Sequence, residues 1–131
     1  MLINDGDTVC IVGGGPGGSA CAMALLSEAR RVGRKIDVVL FEHKKFSEHR
    51  HYNQCIGVLS PPFEDILKND LDLTLPDNLV LNNMEGYCLH SDLLSLDLVG
   101  KESGRSVSVT RSKFDAFMLE EARKAGAEIV H

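Results

Sequence analysis

The apolar positions of this chain change period several times, and each change marks an element. Val9–Val12 is a short continuous apolar run, the pattern of a buried strand. It breaks into six residues, Gly13 to Gly18, five of them glycine. A helical pattern then runs from Ser19 to about Arg31, with small residues (Ala20, Cys21, Ala22, Ala24) in its first half. Arg30 and Arg31 suit its C-terminal end, and Gly33 suits the position beyond it. Ile36–Phe41 is β-branched and apolar, and predicts a second strand. Strand, helix and strand in this order predict a parallel pair joined by a helical crossover.

Residues 43–60 form a long polar loop. Pro61–Asn69 predicts a short helix, with Ser60 as its cap and Pro61 at its first position. The leucines of 71–81 follow no single period. Gly86–His90 and Leu93–Val99 predict a hairpin turning at Ser91-Asp92, and Ser106–Thr110 predicts a third strand of the same small antiparallel sheet. Ser112–Ala125 predicts a helix whose stripe is Phe114, Phe117, Met118, Ala122 and Ala125. Ser112 and Asp115 are spaced as a capping box, with Asp in place of Glu. Gly126 ends this helix, and Ala127–His131 opens another parallel-type strand. The fold class expected is therefore α/β: a Rossmann-like FAD/NAD(P)-binding domain over 1–131, its parallel sheet interrupted by a small antiparallel insertion at 46–110. A doubly wound sheet stopping at such a strand is unfinished, so the chain is expected to be the N-terminal part of a larger protein.

Composition narrows the class. The 131 residues are 44% hydrophobic and 25% charged, which fits a soluble domain with a real core. A net charge of −5 argues against general nucleic-acid binding. The longest apolar stretch, Ala20–Leu26, is too short to span a bilayer, and no secretory leader opens the chain. Cys10, Cys21, Cys55 and Cys88 form no C-x-x-C pair, and free thiols in a reducing cytoplasm are expected.

The chemistry sits between the first strand and the first helix. Gly13, Gly15 and Gly18 have the G-x-G-x-x-G spacing of a dinucleotide site. Gly13 allows the tight turn, Gly15 lets the backbone approach a pyrophosphate, and Gly18 lets helix and strand pack closely. Gly14, Pro16 and Gly17 complete the loop, and the helix N-terminus offers N–H groups and partial positive charge to phosphate. Glu42 follows the second strand, near the spacing of about 20 residues at which an acid binds the ribose diol. It would repel a 2′-phosphate, although Lys44 and Lys45 beside it can tolerate one. Glycine motif and acid alone do not separate FAD from NAD. His49, His51 and Cys55 are legitimate zinc ligands, but no fourth ligand stands at a persuasive spacing, so no metal is expected. No catalytic triad or carboxylate pair is indicated.

The later segments add a resemblance. Arg111-Ser112-Lys113-Phe114-Asp115, then Phe117-Met118-Leu119, Ala122 and Gly126-Ala127, resembles the R-x-x-F-D…L…A…G-A pattern of flavoproteins. With the glycine loop, Glu42 and Gln54-Cys55-Ile56-Gly57-Val58-Leu59-Ser60-Pro61, the order resembles the geranylgeranyl reductase family of FAD-dependent oxidoreductases, relatives of the p-hydroxybenzoate hydroxylase-type monooxygenases. The 54–61 segment departs from the usual C-G-G start at Ile56. The resemblance implies FAD as cofactor, Glu42 on the adenosine ribose, Arg111 on the flavin nucleotide, and Cys55 and Gly57 near the isoalloxazine ring. It implies reduction of a carbon–carbon double bond in an isoprenoid or other small apolar substrate. An external donor, NAD(P)H or a ferredoxin-like protein, would supply electrons, with peripheral membrane contact. An aromatic monooxygenase is the alternative within enzymes. A nucleotide-binding module without catalysis is the alternative outside them, and the 131-residue chain alone is expected to bind FAD weakly and turn nothing over.

Overall fold

The computed structural model describes residues 3–46, 55–99 and 105–131. The chain divides into two units, one of residues 1–54 with 111–131 and one of residues 55–110.

The first unit is built on a parallel sheet. Strands β1 (Thr8–Val12), β2 (Asp37–Phe41) and β8 (Glu128–Val130) lie in the order β1-β2-β8. Thr8 pairs with Asp37 and Val12 with Phe41, and Val39–Phe41 run beside Glu128–Val130. Helix α1 (Pro16–Arg31) crosses from β1 to β2, and helix α3 (Arg111–Lys124) leads into β8. Both helices cover the sheet face that carries Ile11 and Leu40. Gly18 of α1 stands against Ile11, and Leu119 of α3 reaches the space shared by Gly14 and Leu40. Val38, Leu40, Ala22, Met23, Met118 and Ala122 are the buried core between them.

This arrangement corrects the reading of the first strand. Val9–Val12 reads as buried, and among the described residues β1 pairs on one side only, with β2, leaving Val12 89% exposed. An apolar run records the burial of its face only if something covers that face. Helix α1 also begins earlier than its apolar period, at Pro16 rather than Ser19. Proline's fixed φ and missing N–H suit the first helical position, so glycine-rich sequence that looks like loop is already helix. At the other end Gly33, at φ +70°, donates its N–H to the Arg30 carbonyl (3.1 Å), as its position suggested. Gly126, at φ +112°, ends α3 in the same way through Arg123 (3.0 Å). The stripe of α3 buries Phe114, Met118 and Ala122 as expected. The proposed capping box does not form: Ser112 lies inside α3, and Asp115 accepts instead from Arg111.

The second unit contains two separate antiparallel sheets. Strands β3 (Val58–Leu59), β7 (Ser106–Val109) and β4 (Val80–Met84) form one, in the order β3-β7-β4. Strands β5 (Gly86–His90) and β6 (Ser95–Val99) form the other, a hairpin turning through 91–94. The third strand of the expected insertion sheet therefore pairs elsewhere. Val107 and Val109 are buried in β7, and a central position between β3 and β4 provides that burial. Helix α2 (Phe63–Leu71) starts two residues later than predicted, after a cis Pro61-Pro62 bond and without a side-chain cap. Ser60, the expected cap, instead hydrogen-bonds the Tyr87 hydroxyl (3.2 Å) and the Ser106 hydroxyl (3.3 Å). The unassigned 71–81 segment contains a 3-10 turn at Asp77–Leu79 leading into β4. No helix among the described residues is long and apolar enough to cross a membrane.

Candidate functional site: the glycine loop and Glu42

Strand β1 passes into the loop by one further ladder bond, from the Gly13 N–H to the Phe41 carbonyl (2.8 Å). Gly13 sits at φ +101°, a conformation that L side chains rarely adopt. The next residue is held from three sides. A Cβ on Gly14 would come within 2.8 Å of Glu42 Cβ and Leu40 Cδ2 and 2.9 Å of Leu119 Cδ1. Gly18 is tighter still, since a Cβ there would lie 1.8 Å from the Gly13 carbonyl oxygen. Gly15 differs in kind. Its φ of −66° and ψ of −176° are open to any residue, and a Cβ there would meet nothing within 4 Å. Gly14 and Gly18 are therefore glycines because of the fold, whereas nothing in the fold requires one at Gly15. Open space above bare backbone is what an approaching pyrophosphate needs.

Gly15 is the N-cap of α1, and no side chain caps that end. The first intrahelical bond runs from the Ser19 N–H to the Gly15 carbonyl (3.0 Å). Gly17 and Gly18 lie in the turn whose N–H groups have no helical acceptor, and no acidic residue occupies that turn. Fully buried Ser19 donates its hydroxyl to the Gly14 carbonyl (2.9 Å), tying helix to loop.

Glu42 connects the loop to the end of β2. Its carboxylate is buried, at 8% exposure. Oε2 accepts the Gly14 N–H (2.7 Å), and Oε1 accepts the Lys44 N–H (2.7 Å). Its backbone N–H donates to the Val130 carbonyl (2.8 Å), and its carbonyl lies 3.0 Å from Nδ1 of His131. Two neutral amides hold the group without neutralising its charge. A carboxylate has about four lone-pair sites, so acceptor capacity remains for a vicinal diol. Loop and acid thus fit the ADP part of a dinucleotide. Beside them Lys45, Phe46, Leu119, Arg123 and His131 line an open groove of about 470 Å³. The groove lies at the carboxyl ends of β2 and β8, where open α/β sheets bind ligands. A cavity of about 140 Å³ among Ile3, Leu25, Val32 and Ile36 lies at the opposite end of the sheet.

The other singled-out residues are placed differently. Arg111 opens α3, and its Nε donates to Asp115 Oδ1 (2.5 Å), whose side chain is 3% exposed. Cys55 and Gly57 belong to the second unit. There Gly57, at φ +75°, accepts the Val109 N–H (2.8 Å) and donates its own N–H to Cys55 Sγ (3.5 Å). Ile56 between them is 81% exposed. His49 and His51 lie outside the described residues. Among the described residues no three metal-ligating side chains gather. The sequence gives no site role to Ser19 or His131, and Asp115, expected as half of a helix cap, is instead the buried partner of Arg111. Ser19 had a usable signal, a hydroxyl in the first turn within reach of a loop carbonyl.

No protein-family model matches the chain. Curated relatives do match. The flavin-dependent halogenase otaD of Aspergillus carbonarius is 31% identical over 132 residues, which cover 98% of this chain and 25% of that protein. Protein FixC of Escherichia coli K12 is 28% identical over 131 residues, covering 92% of this chain and 27% of that protein. A geranylgeranyl bacteriochlorophyll reductase-like protein from Thermoplasma acidophilum superimposes with a TM-score of 0.69 at 24% identity, over 96% of this chain and 30% of that one. The chain is similar, over most of its own length, to part of each of these proteins. It spans about a quarter of the length of the curated relatives it matches. The expected α/β class, with its parallel sheet and small antiparallel sheets, is the observed fold. Among the similar proteins, otaD is a flavin-dependent halogenase, and a solved structure of the halogenase PltM, similar in fold with a TM-score of 0.63 at 19% identity, is a complex with FAD.

Proposed function

We propose that the first unit binds the ADP part of FAD. The glycine loop would take the pyrophosphate on the backbone of Gly14–Gly18, and Glu42 would take the ribose. The groove beside Glu42 would seat the adenine. The observation that carries this reading is the pairing of a buried, amide-held Glu42 carboxylate with a bare, uncovered Gly15. Arg111 is placed on the flavin nucleotide, and Cys55 and Gly57 near the flavin ring, by resemblance alone.

FAD supplies the redox chemistry; this chain's own residues bind and orient it. For the reaction, we favour reduction of a carbon–carbon double bond in an isoprenoid or similar apolar substrate, with NAD(P)H or a ferredoxin-like protein as electron donor. The superposition on the geranylgeranyl bacteriochlorophyll reductase-like protein supports it. Flavin-dependent halogenation or monooxygenation is the second reading, supported by the 31% identity to otaD.

Binding is tested by titrating the chain into FAD and following flavin fluorescence, then repeating with Gly15→Val. Retained fold with lost binding supports the site, and unchanged binding in Gly15→Val overturns it. The reaction is tested on the full-length protein carrying this chain. A saturated isoprenoid product formed anaerobically with reduced FAD favours the reductase. A product gaining bromine or oxygen from an aromatic substrate, with oxygen and bromide supplied, favours the second reading.

A further inference from the structure

Within the second unit, the β5–β6 hairpin brings a thiol, an imidazole and a hydroxyl together. In an antiparallel pair, residues alternate between faces, and directly opposed residues share a face. Tyr87 faces Leu98, and Leu89 faces Leu96, which makes one face apolar. Cys88 opposes Asp97, and His90 opposes Ser95, which makes the other face polar. On that face Cys88 Sγ lies 3.1 Å from His90 Nε2 and 3.4 Å from Ser95 Oγ. The turn is tied by Ser91, whose N–H donates to the Leu94 carbonyl (2.8 Å) and whose hydroxyl accepts the Leu94 N–H (3.1 Å). That turn sets the register holding His90 against Ser95.

We propose that Cys88 and His90 form a nucleophilic pair, a modification site for soft carbon electrophiles of the α,β-unsaturated carbonyl class. His90 Nε2 takes the thiol proton. The thiolate lone pair forms a C–S bond at the electrophile's β-carbon, and the π pair moves to the α-carbon as an enolate. The enolate takes a proton back from the imidazolium. The product is a thioether, and nothing is oxidised or reduced. The thiolate is the reactive form of cysteine, and an adjacent imidazolium favours it. Ser95 supplies a hydroxyl that can donate to the thiolate. Asp97 stands opposite Cys88 on the same face. His90 is therefore the group on which the reactivity depends. Cys10 and Cys21 are also exposed but have no imidazole against them among the described residues, so they serve as internal references.

The experiment treats the native chain with limiting N-ethylmaleimide from pH 6 to 8 and follows each cysteine by peptide mass spectrometry. At pH 7 Cys88 is expected to react about fivefold or more faster than Cys10 and Cys21, because an imidazole within reach takes the thiol proton as the C–S bond forms. His90→Gln should bring Cys88 to the reference rate and leave Cys10 and Cys21 unchanged. A native Cys88 no faster than the references overturns the proposal, as does an unaltered Cys88 rate in folded His90→Gln. If that variant unfolds, shown by circular dichroism, the native comparison decides, and a Cys88 rate equal to the references overturns the pair.

Discussion

At the scale of single residues, the glycines of the loop separate into two kinds, and the difference can be measured. A methyl group on Gly18 would collide with the Gly13 carbonyl, which belongs to backbone and has no side-chain freedom to yield. Gly18→Ala is expected to destabilise the chain by about 2 kcal/mol or more, as overpacking against fixed structure does. Urea unfolding followed by circular dichroism reads this directly. Gly15→Ala meets nothing and keeps an allowed backbone, so its stability should match that of the parent within about 0.5 kcal/mol. Only its nucleotide affinity should suffer. Equal stability losses in the two variants would contradict the division of roles between them.

Glu42 is the second residue with a separable role. Glu42→Gln keeps an oxygen for the Gly14 N–H but turns an NH2 toward the Lys44 N–H, where an acceptor now stands. One charge-assisted bond is lost, at a cost of about 1–3 kcal/mol in stability. Nucleotide affinity measured by calorimetry should fall about tenfold, because a ribose hydroxyl loses a charged acceptor. A variant that binds ADP as tightly as the parent would remove Glu42 from the site.

At the scale of elements, the helices and strands around the loop are held by burial, and the buried charge on α3 is the exception. Leu40, at 0% exposure in the middle strand of the sheet, lies under both the loop and α3. Leu40→Ala should cost about 2–5 kcal/mol, read as a lower urea midpoint. Asp115 is as deeply buried as the apolar stripe beside it, with Arg111 as a partner. Asp115→Ala removes a buried acceptor of a charge-assisted hydrogen bond, so it should cost about 1–3 kcal/mol. Arg111→Leu, which removes the cation, should be partly rescued by adding Asp115→Leu.

The same elements explain what the sequence made legible. Strong local signals survived: the strand–glycine–helix order, the turn glycines Gly33 and Gly126, and the hairpin at Gly86–His90. Each depends on backbone conformation or period within a few residues. Burial of β1, partners for β7 and the lost cap at Ser60 depend on what lies across space. Val12 is as apolar as Val38, yet among the described residues only the latter is covered, because β2 has strands on both sides and β1 on one. Ser112 and Asp115 had the spacing of a cap, but a guanidinium at Arg111 competes for the carboxylate with a full charge, where a backbone amide offers only a dipole. Spacing alone does not rank those partners.

At the scale of the whole molecule, the residues proposed for FAD fall in different units, and this division carries its own prediction. The glycine loop and Glu42 belong to the first unit, and Cys55 and Gly57 to the second. The first unit's groups are complementary to phosphate and ribose, which ADP and FAD share. Anything the second unit contributes by resemblance concerns the flavin ring, which ADP lacks. Affinities for ADP and FAD measured on one preparation therefore report the two units separately. Glu42→Gln should weaken both ligands by the same factor. Cys55→Ser should leave ADP binding unchanged, and should alter FAD binding if the Cys55 thiol meets the ring. Gly57→Ala is a poorer probe, because φ +75° makes any side chain there strained and the loss would mix stability with binding. A Glu42→Gln protein that loses FAD but keeps ADP would refute the assignment of the acid to the ribose. A Cys55→Ser protein with both affinities unchanged would leave the thiol without a part in binding and move the search for ring contacts to other residues of the second unit.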